Sequence, residues 1–170
     1  MTITPETTIE ISKEDLKFSA AHFTIFSATE RERLHGHNFG VYVSVTAPVD
    51  ENGMCFNYTE LKSRVRTLCR ELDEYTLLPA QSPYLEITEN DGQYVVGFND
   101  ETLYFSKKDT KLLPLRNTTV EEYSHYLLSR LVQDETFFDP DTIRAIVLKV
   151  SSGPGQWGSA SWKAEGGNQE

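Results

Sequence analysis

From Phe39 onward the run "FGVYVSVTA" places an apolar side chain at every second position, through Val41, Val43 and Val45 to about Ala47. A period of two is the mark of a strand with one buried face, and a 3.6-residue repeat would scatter the same side chains around a helix. The strand is entered through "HGHN", so His35 and His37, two residues apart, point to one face.

The segments on either side extend this pattern. Residues 7–26 read as one long or broken strand, and within "KFSAAHF" Phe18, Ala20 and His22 share a face. The charged, aperiodic "SATERERL" is a loop between the two strands, and "PVDENGM" reads as the close of a hairpin. From Thr59 to Leu72, Leu61, Val65, Leu68 and Leu72 form one stripe of an amphipathic helix with Thr59 as its N-cap. The short runs "YLEIT", "QYVVGF" and "TLYF" are expected to form a small meander or hairpin outside the core. A second helix over residues 117–131 is announced by Thr119 with Glu122 three residues on, followed by Tyr123, Leu127 and Leu131 at helical spacing. "TIRAIVLKVSS" reads as the last strand, the Gly-rich "GPGQWGSASW" as a terminal loop, and the residues from Lys163 as a disordered polar tail. The order of elements is an α+β plan with a largely antiparallel sheet.

At 170 residues the chain suits one domain, placed at 7–162 with a tail at 163–170. No apolar run is long enough to cross a membrane, and "MTITPETTIE" lacks a signal pattern, so a cytoplasmic protein is expected. Sixteen Lys plus Arg against 26 Asp plus Glu give a net charge of -10, which argues against nucleic acid and anionic lipid as partners. Cys55 and Cys69 are too few for a disulfide framework.

His22, His35 and His37 can converge from neighbouring strands, and three imidazoles with an open fourth position are a ligand set for catalytic zinc. The spacing alone also fits a hydrogen-bonded pair with no metal. His125, in mid-helix, reads as structural.

The motifs "FSAAHF", "RLHGHNFG", "GMCFNYTELK", "LDEYTLLP" and "NTTVEEYSHYL", in this order, resemble the 6-pyruvoyltetrahydropterin synthase and 6-carboxytetrahydropterin synthase family from about Ile9 to Trp162. The resemblance implies a tunnelling fold (T-fold), an antiparallel sheet with two helices on one face, here with a small β-hairpin insertion, assembled through trimeric rings into hexamers or similar homo-oligomers. It also implies zinc on His22, His35 and His37, and a pterin substrate such as 7,8-dihydroneopterin triphosphate whose side-chain protons the metal acidifies. Thr119 and Glu121 match the element that helps enclose the pterin, while Asn38 and Asn57 match further family positions.

Three positions depart from the family pattern. Arg31 stands where the family has its basic cysteine, and a guanidinium stays protonated. The relay Asp-His pair becomes Asp73 and Glu74, and the resemblance places the ring-gripping glutamate at Ser151, which cannot reproduce a bidentate carboxylate. Glu74 or Glu32 is then the candidate base, with Asp73 beside it, and Arg31 and Arg33 are candidates for an anionic substrate tail. Two functions follow as expectations. One is a zinc-dependent synthase-like lyase of tetrahydropterin or queuosine-precursor biosynthesis with altered acid-base groups; the other is a catalytically inactive zinc protein that binds a pterin-like ligand.

Overall fold

A computed structural model describes residues 5–164. Strand β3 (His35–Pro48) is its spine, with Phe39, Val41, Val43, Val45 and Ala47 all buried on one face. One flank of β3 pairs antiparallel with two strands in succession, β1 (Glu6–Ile11) along its second half and β2 (Lys17–His22) along its first. The long segment read as one strand is therefore broken between Ile11 and Lys17. The other flank takes β9 (Ala145–Gly153), and β10 (Gln156–Lys163) folds back on β9. Beyond β2 lie β4 (Tyr75–Pro79) and β8 (Thr110–Leu113), giving the order β10-β9-β3-β2-β4-β8 with β1 as a seventh strand.

The sheet is mixed, because β2 pairs parallel with β4 and β4 parallel with β8. Strand β4 did not stand out in the sequence: Leu77 and Leu78 are both fully buried, so the run lacks the alternation that signals a strand.

Helices α1 (Tyr58–Leu72) and α2 (Val120–Val132) cover one face of the sheet and share a single apolar cluster with it. The stripe Leu61, Val65, Leu68 and Leu72 is buried as expected, and so are Tyr123, Leu127 and Leu131. The cap of α1 is corrected by two positions: Asn57, not Thr59, is the N-cap, its Oδ1 accepting from the Thr59 amide at 3.1 Å. In α2 Thr119 is the N-cap and accepts from the Glu122 amide at 3.4 Å. The Glu122 carboxylate turns instead to the Arg116 amide, so the reciprocal arm of a capping box is not made.

Two loop readings are also corrected. "PVDENGM" closes no hairpin; Asp50 accepts from the amides of Asn52 and Met54, and this turn feeds α1. The Gly-rich segment is not a terminal loop but the hairpin turn and strand β10. Gly155, with φ of 85°, makes the turn, and Gly158 lets β10 approach the backbone of α2, since a Cβ there would lie 2.5 Å from the Val120 carbonyl. Lys163 pairs with Ala145 inside β10, and the tail expected beyond it falls at 165–170, outside the described residues.

The insertion is a three-stranded antiparallel sheet, β5 (Glu86–Asn90), β6 (Gln93–Phe98) and β7 (Glu101–Ser106), rather than a single hairpin. It lies outside the main core and closes a second apolar cluster of its own, in which Val96 and Phe98 meet Phe23, Ile25 and Leu78.

Candidate functional site

Phe18 and Phe39 stack with ring centroids 4.9 Å apart, and Tyr123 meets both edge-on. This aromatic floor exists because Phe18 and Phe39 face each other across the β2–β3 register. The same register places His22 opposite His35, with His37 one alternation further along β3, so three imidazoles rise from the floor on one face.

Their tautomers follow from their partners. His22 Nδ1 lies 2.7 Å from the Thr118 carbonyl and His35 Nδ1 2.7 Å from the Arg33 carbonyl. A carbonyl only accepts, so each Nδ1 carries the proton and each Nε2 presents a lone pair. His22 Nε2 is buried with no protein hydrogen-bond partner, and His35 Nε2 is 3.0 Å from His37 Nε2. The three ligand atoms lie within 4.8 Å of one another. Burial pushes the His22 pKa down against the opposing pull of the Thr118 carbonyl, which favours the neutral, ligating imidazole. Converging lone pairs, one of them orphaned in the interior, fit a metal ion held through nitrogen, and the carbonyls that orient the rings are the supports such ligands need.

A cavity of about 380 Å³ opens beside the trio, lined by His22, His37, Glu32, Thr119 and Glu121 together with Ser152. Glu32 reaches it from a tight return of the loop between β2 and β3, in which the Glu32 amide donates to the Thr24 carbonyl and the Glu32 carboxylate accepts from the Thr24 amide at 3.0 Å. Its Oε2 stands 3.9 Å from His35 Nε2. Burial would raise the Glu32 pKa, but the hydrogen bond from the Thr24 amide outweighs it and holds the carboxyl below its ordinary value.

The remaining expected site residues are distributed differently. Asp73 accepts from the Ser19 amide at 2.7 Å, and the next amide, that of Glu74, donates to the Ser19 carbonyl at 2.7 Å. Glu74, with φ of 63°, lines a second pocket with Ser19, Gly36 and Asn38 on the sheet face away from the helices, and His37 borders this pocket too. Ser151 pairs with Gly40 on that same far face, and its hydroxyl is bonded within the turn to Gly153. Its neighbour Ser152 reaches the histidine side. Arg31 donates to Glu101 and to the Glu32 carbonyl, so its guanidinium is turned to the insertion and not to the cavity. Arg33 is exposed, and His125 is exposed on α2 apart from the trio.

Sequence reasoning missed Ser152, Thr24 and the Thr118 carbonyl. The carbonyl is unreadable in principle, since every residue has one, although Asn117, which ties to Ile25 through both ends of its amide, could have marked the segment as anchored.

A mixed sheet with both helices on one face is a tunnelling-fold arrangement, and solved structures share this fold. The structure of 6-pyruvoyl tetrahydropterin synthase from Plasmodium vivax is similar with a TM-score of 0.88 and 26% identity, over 94% of this chain and 99% of that one. The same protein has been solved as two catalytic-residue variants, with a glutamate replaced by alanine and by cysteine. Among curated proteins, one of Methanocaldococcus jannaschii provisionally named 6-carboxy-5,6,7,8-tetrahydropterin synthase is 25% identical over 145 residues, 83% of this chain and 86% of that one. A Pyrococcus abyssi protein with the same provisional name is 21% identical over 139 residues, 81% of each chain. The chain belongs to the 6-pyruvoyl tetrahydropterin synthase family, whose defining pattern matches residues 10–161.

Proposed function

We propose that this protein is a zinc-dependent lyase of the 6-pyruvoyl/6-carboxytetrahydropterin synthase type, acting on 7,8-dihydroneopterin triphosphate or a related pterin, with Glu32 as its base. The observation that carries the reading is the approach of one ionised carboxylate, Glu32, to three converging Nε2 atoms at the edge of a cavity of suitable size. A catalytic glutamate in the Plasmodium vivax enzyme supports it. His22, His35 and His37 would hold the metal, which when bound polarises an oxygen of the substrate side chain and acidifies the adjacent C–H.

The chain's own groups do the rest. Glu32, kept ionised, takes the proton from that carbon; Thr24 holds the carboxylate in place. Thr119 and Glu121 border the cavity where the pterin ring is to be enclosed, and a carboxylate there can accept from the aminopyrimidine edge, the task Ser151 cannot perform from the far face.

The reading includes self-association. Strands β10 and β8 end the main sheet, and an unpaired strand edge is a natural place for another copy to add. Glu74 lines a pocket that His37 borders but His22 and His35 do not, and in this reading it assists proton transfer in the site of a neighbouring copy.

The test incubates zinc-loaded protein with 7,8-dihydroneopterin triphosphate. Product formation that drops by about 10²–10⁴-fold in Glu32→Gln supports the reading. Ligand binding without product in the parent protein would instead identify a repurposed pterin-binding member. Metal analysis of His35→Ala is a separate check, since unchanged zinc content would dismiss the metal assignment.

A further inference from the structure

Arg31 stands at the position that the family resemblance gives to a cysteine, and its surroundings are unusually complete for a side chain on a charged loop. Nε and Nη2 donate to Glu101 Oε2 at 2.9 and 2.5 Å, and Nη1 donates to the Glu32 carbonyl at 2.8 Å. The guanidinium carbon lies 5.1 Å from the Phe23 ring centroid and 5.7 Å from that of Phe98. Its side chain is only 13% exposed. Phe23 follows the zinc-side residue His22, whereas Phe98 and Glu101 belong to the insertion, on either side of its β6–β7 turn. One guanidinium thus joins the insertion to the main sheet at the residue next to the candidate base.

We propose that Arg31 and Glu101 form a clamp through which the insertion positions Glu32, so that the three-stranded insertion is a working part of the active site. The proposal rests on the reading of Glu32 as the base. A planar, permanently charged group with fixed donors can hold two acceptors in a set relation, and here the two are the Glu101 carboxylate and the Glu32 carbonyl. The loop behind Glu32 is held in turn by the Ile25–Arg31 bridge and the paired hydrogen bonds between Thr24 and Glu32. Release of the Glu101 end leaves Nη1 without its counterweight, and the Glu32 carbonyl and carboxylate move as one residue. Misplacement of a catalytic group by about 1 Å costs on the order of 100-fold in rate, so a remote anchor of this kind has a kinetic effect without touching substrate. Arg31 and Glu101 are positioning residues in this scheme, and neither contacts the cavity.

The primary variant is Glu101→Ala, because Glu101 is half exposed at the start of β7 and its removal strips nothing from the core, whereas Arg31→Ala would also empty the space against Phe23 and Phe98. Three measurements are made on the intact chain: amide exchange at Thr24, kcat and KM, and the same kinetics with Glu101→Ala added to Glu32→Gln. The proposal expects Thr24 exchange to rise, kcat to fall about tenfold or more with KM within about twofold, and no further loss when Glu32 is already Gln. A Glu101→Gln variant, which keeps the shape and removes the charge, is expected to fall between the two. The proposal is overturned if Thr24 exchange is unchanged in Glu101→Ala, or if that change slows Glu32→Gln by the same factor as the parent. If the parent protein turns over no pterin, the base reading fails, and the Thr24 exchange by itself upholds or overturns the clamp.

Discussion

A single carboxylate near the start of α2 ties the fold to pH. Glu122 accepts from the Arg116 amide at 2.9 Å and from its guanidinium at 2.6 and 3.1 Å. Burial alone would raise the Glu122 pKa; the bonds to Arg116, with His125 adding to them, outweigh it and keep the pKa below 4.5. A carboxyl depressed in the folded state contributes stability in full above its unfolded pKa, and the contribution fades as pH falls through the folded value. Because Arg116 is largely solvated, the contribution is modest. Glu122→Gln is expected to cost about 1 kcal/mol at neutral pH, a difference that disappears once the pH falls below the depressed folded-state pKa. Urea midpoints of the two proteins across that range measure it, and a gap that persisted in acid would contradict the assignment. At this scale the sequence was most informative about the histidines, whose chemistry is announced by residue type and alternation. It was least informative about Glu74, Ser151 and Arg31, because the partner of a side chain depends on which face of a sheet, and which distant segment, it meets.

At the scale of elements, the start of α2 is fixed by its contact with β10. A methyl group on Gly158 would lie 2.5 Å from both the carbonyl carbon and oxygen of Val120 and 2.8 Å from the Glu121 amide, all backbone atoms that cannot rotate aside. The residues on that start include Thr118, whose carbonyl orients His22, and Thr119 and Glu121 in the cavity wall. Gly158→Ala is therefore expected to destabilise the protein by about 1–3 kcal/mol and to weaken zinc binding at the same time. Thermal unfolding and a chelator competition titration measure the two effects, with Ser159→Ala, at an exposed position, as the control. Loss of stability with zinc affinity unchanged would show that the helix start does not support the metal site. The helices and the alternating strands β2, β3 and β9 were legible because each has one wet and one dry face. Strand β10 was obscured by its glycines, which signal a loop locally and serve here as turn and close-contact residues. The first residue of α1 was displaced for a simpler reason, since Asn and Thr are both good caps and stood two positions apart.

For the whole molecule, metal and fold are linked wherever the ion binds the native state alone. Zinc at a free concentration about 100 times its dissociation constant would add about 2.7 kcal/mol. Removing it with a chelator is expected to lower the melting temperature of the parent protein and leave that of His35→Ala unmoved. A shift of equal size in both would mean that the stabilising ion sits elsewhere. The general plan of sheet, two helices and insertion was readable from the order of patterns along the chain. The parallel pairing of β2, β4 and β8 was not, since nothing in a short apolar run states the direction of its neighbour.

The spine strand has a further consequence, in time rather than in space. Gly40 pairs with Ser151 and Val43 with Leu148, so β3 waits for a partner distant in sequence. Pairings of such large sequence separation form late and slowly. During synthesis the histidine-bearing strands β2 and β3 leave the ribosome before Thr118, which orients His22, and before β9, which completes the sheet. A nascent chain of this protein therefore carries its three histidines before it has the scaffold to set them, and their native geometry arises only after β9 has been made.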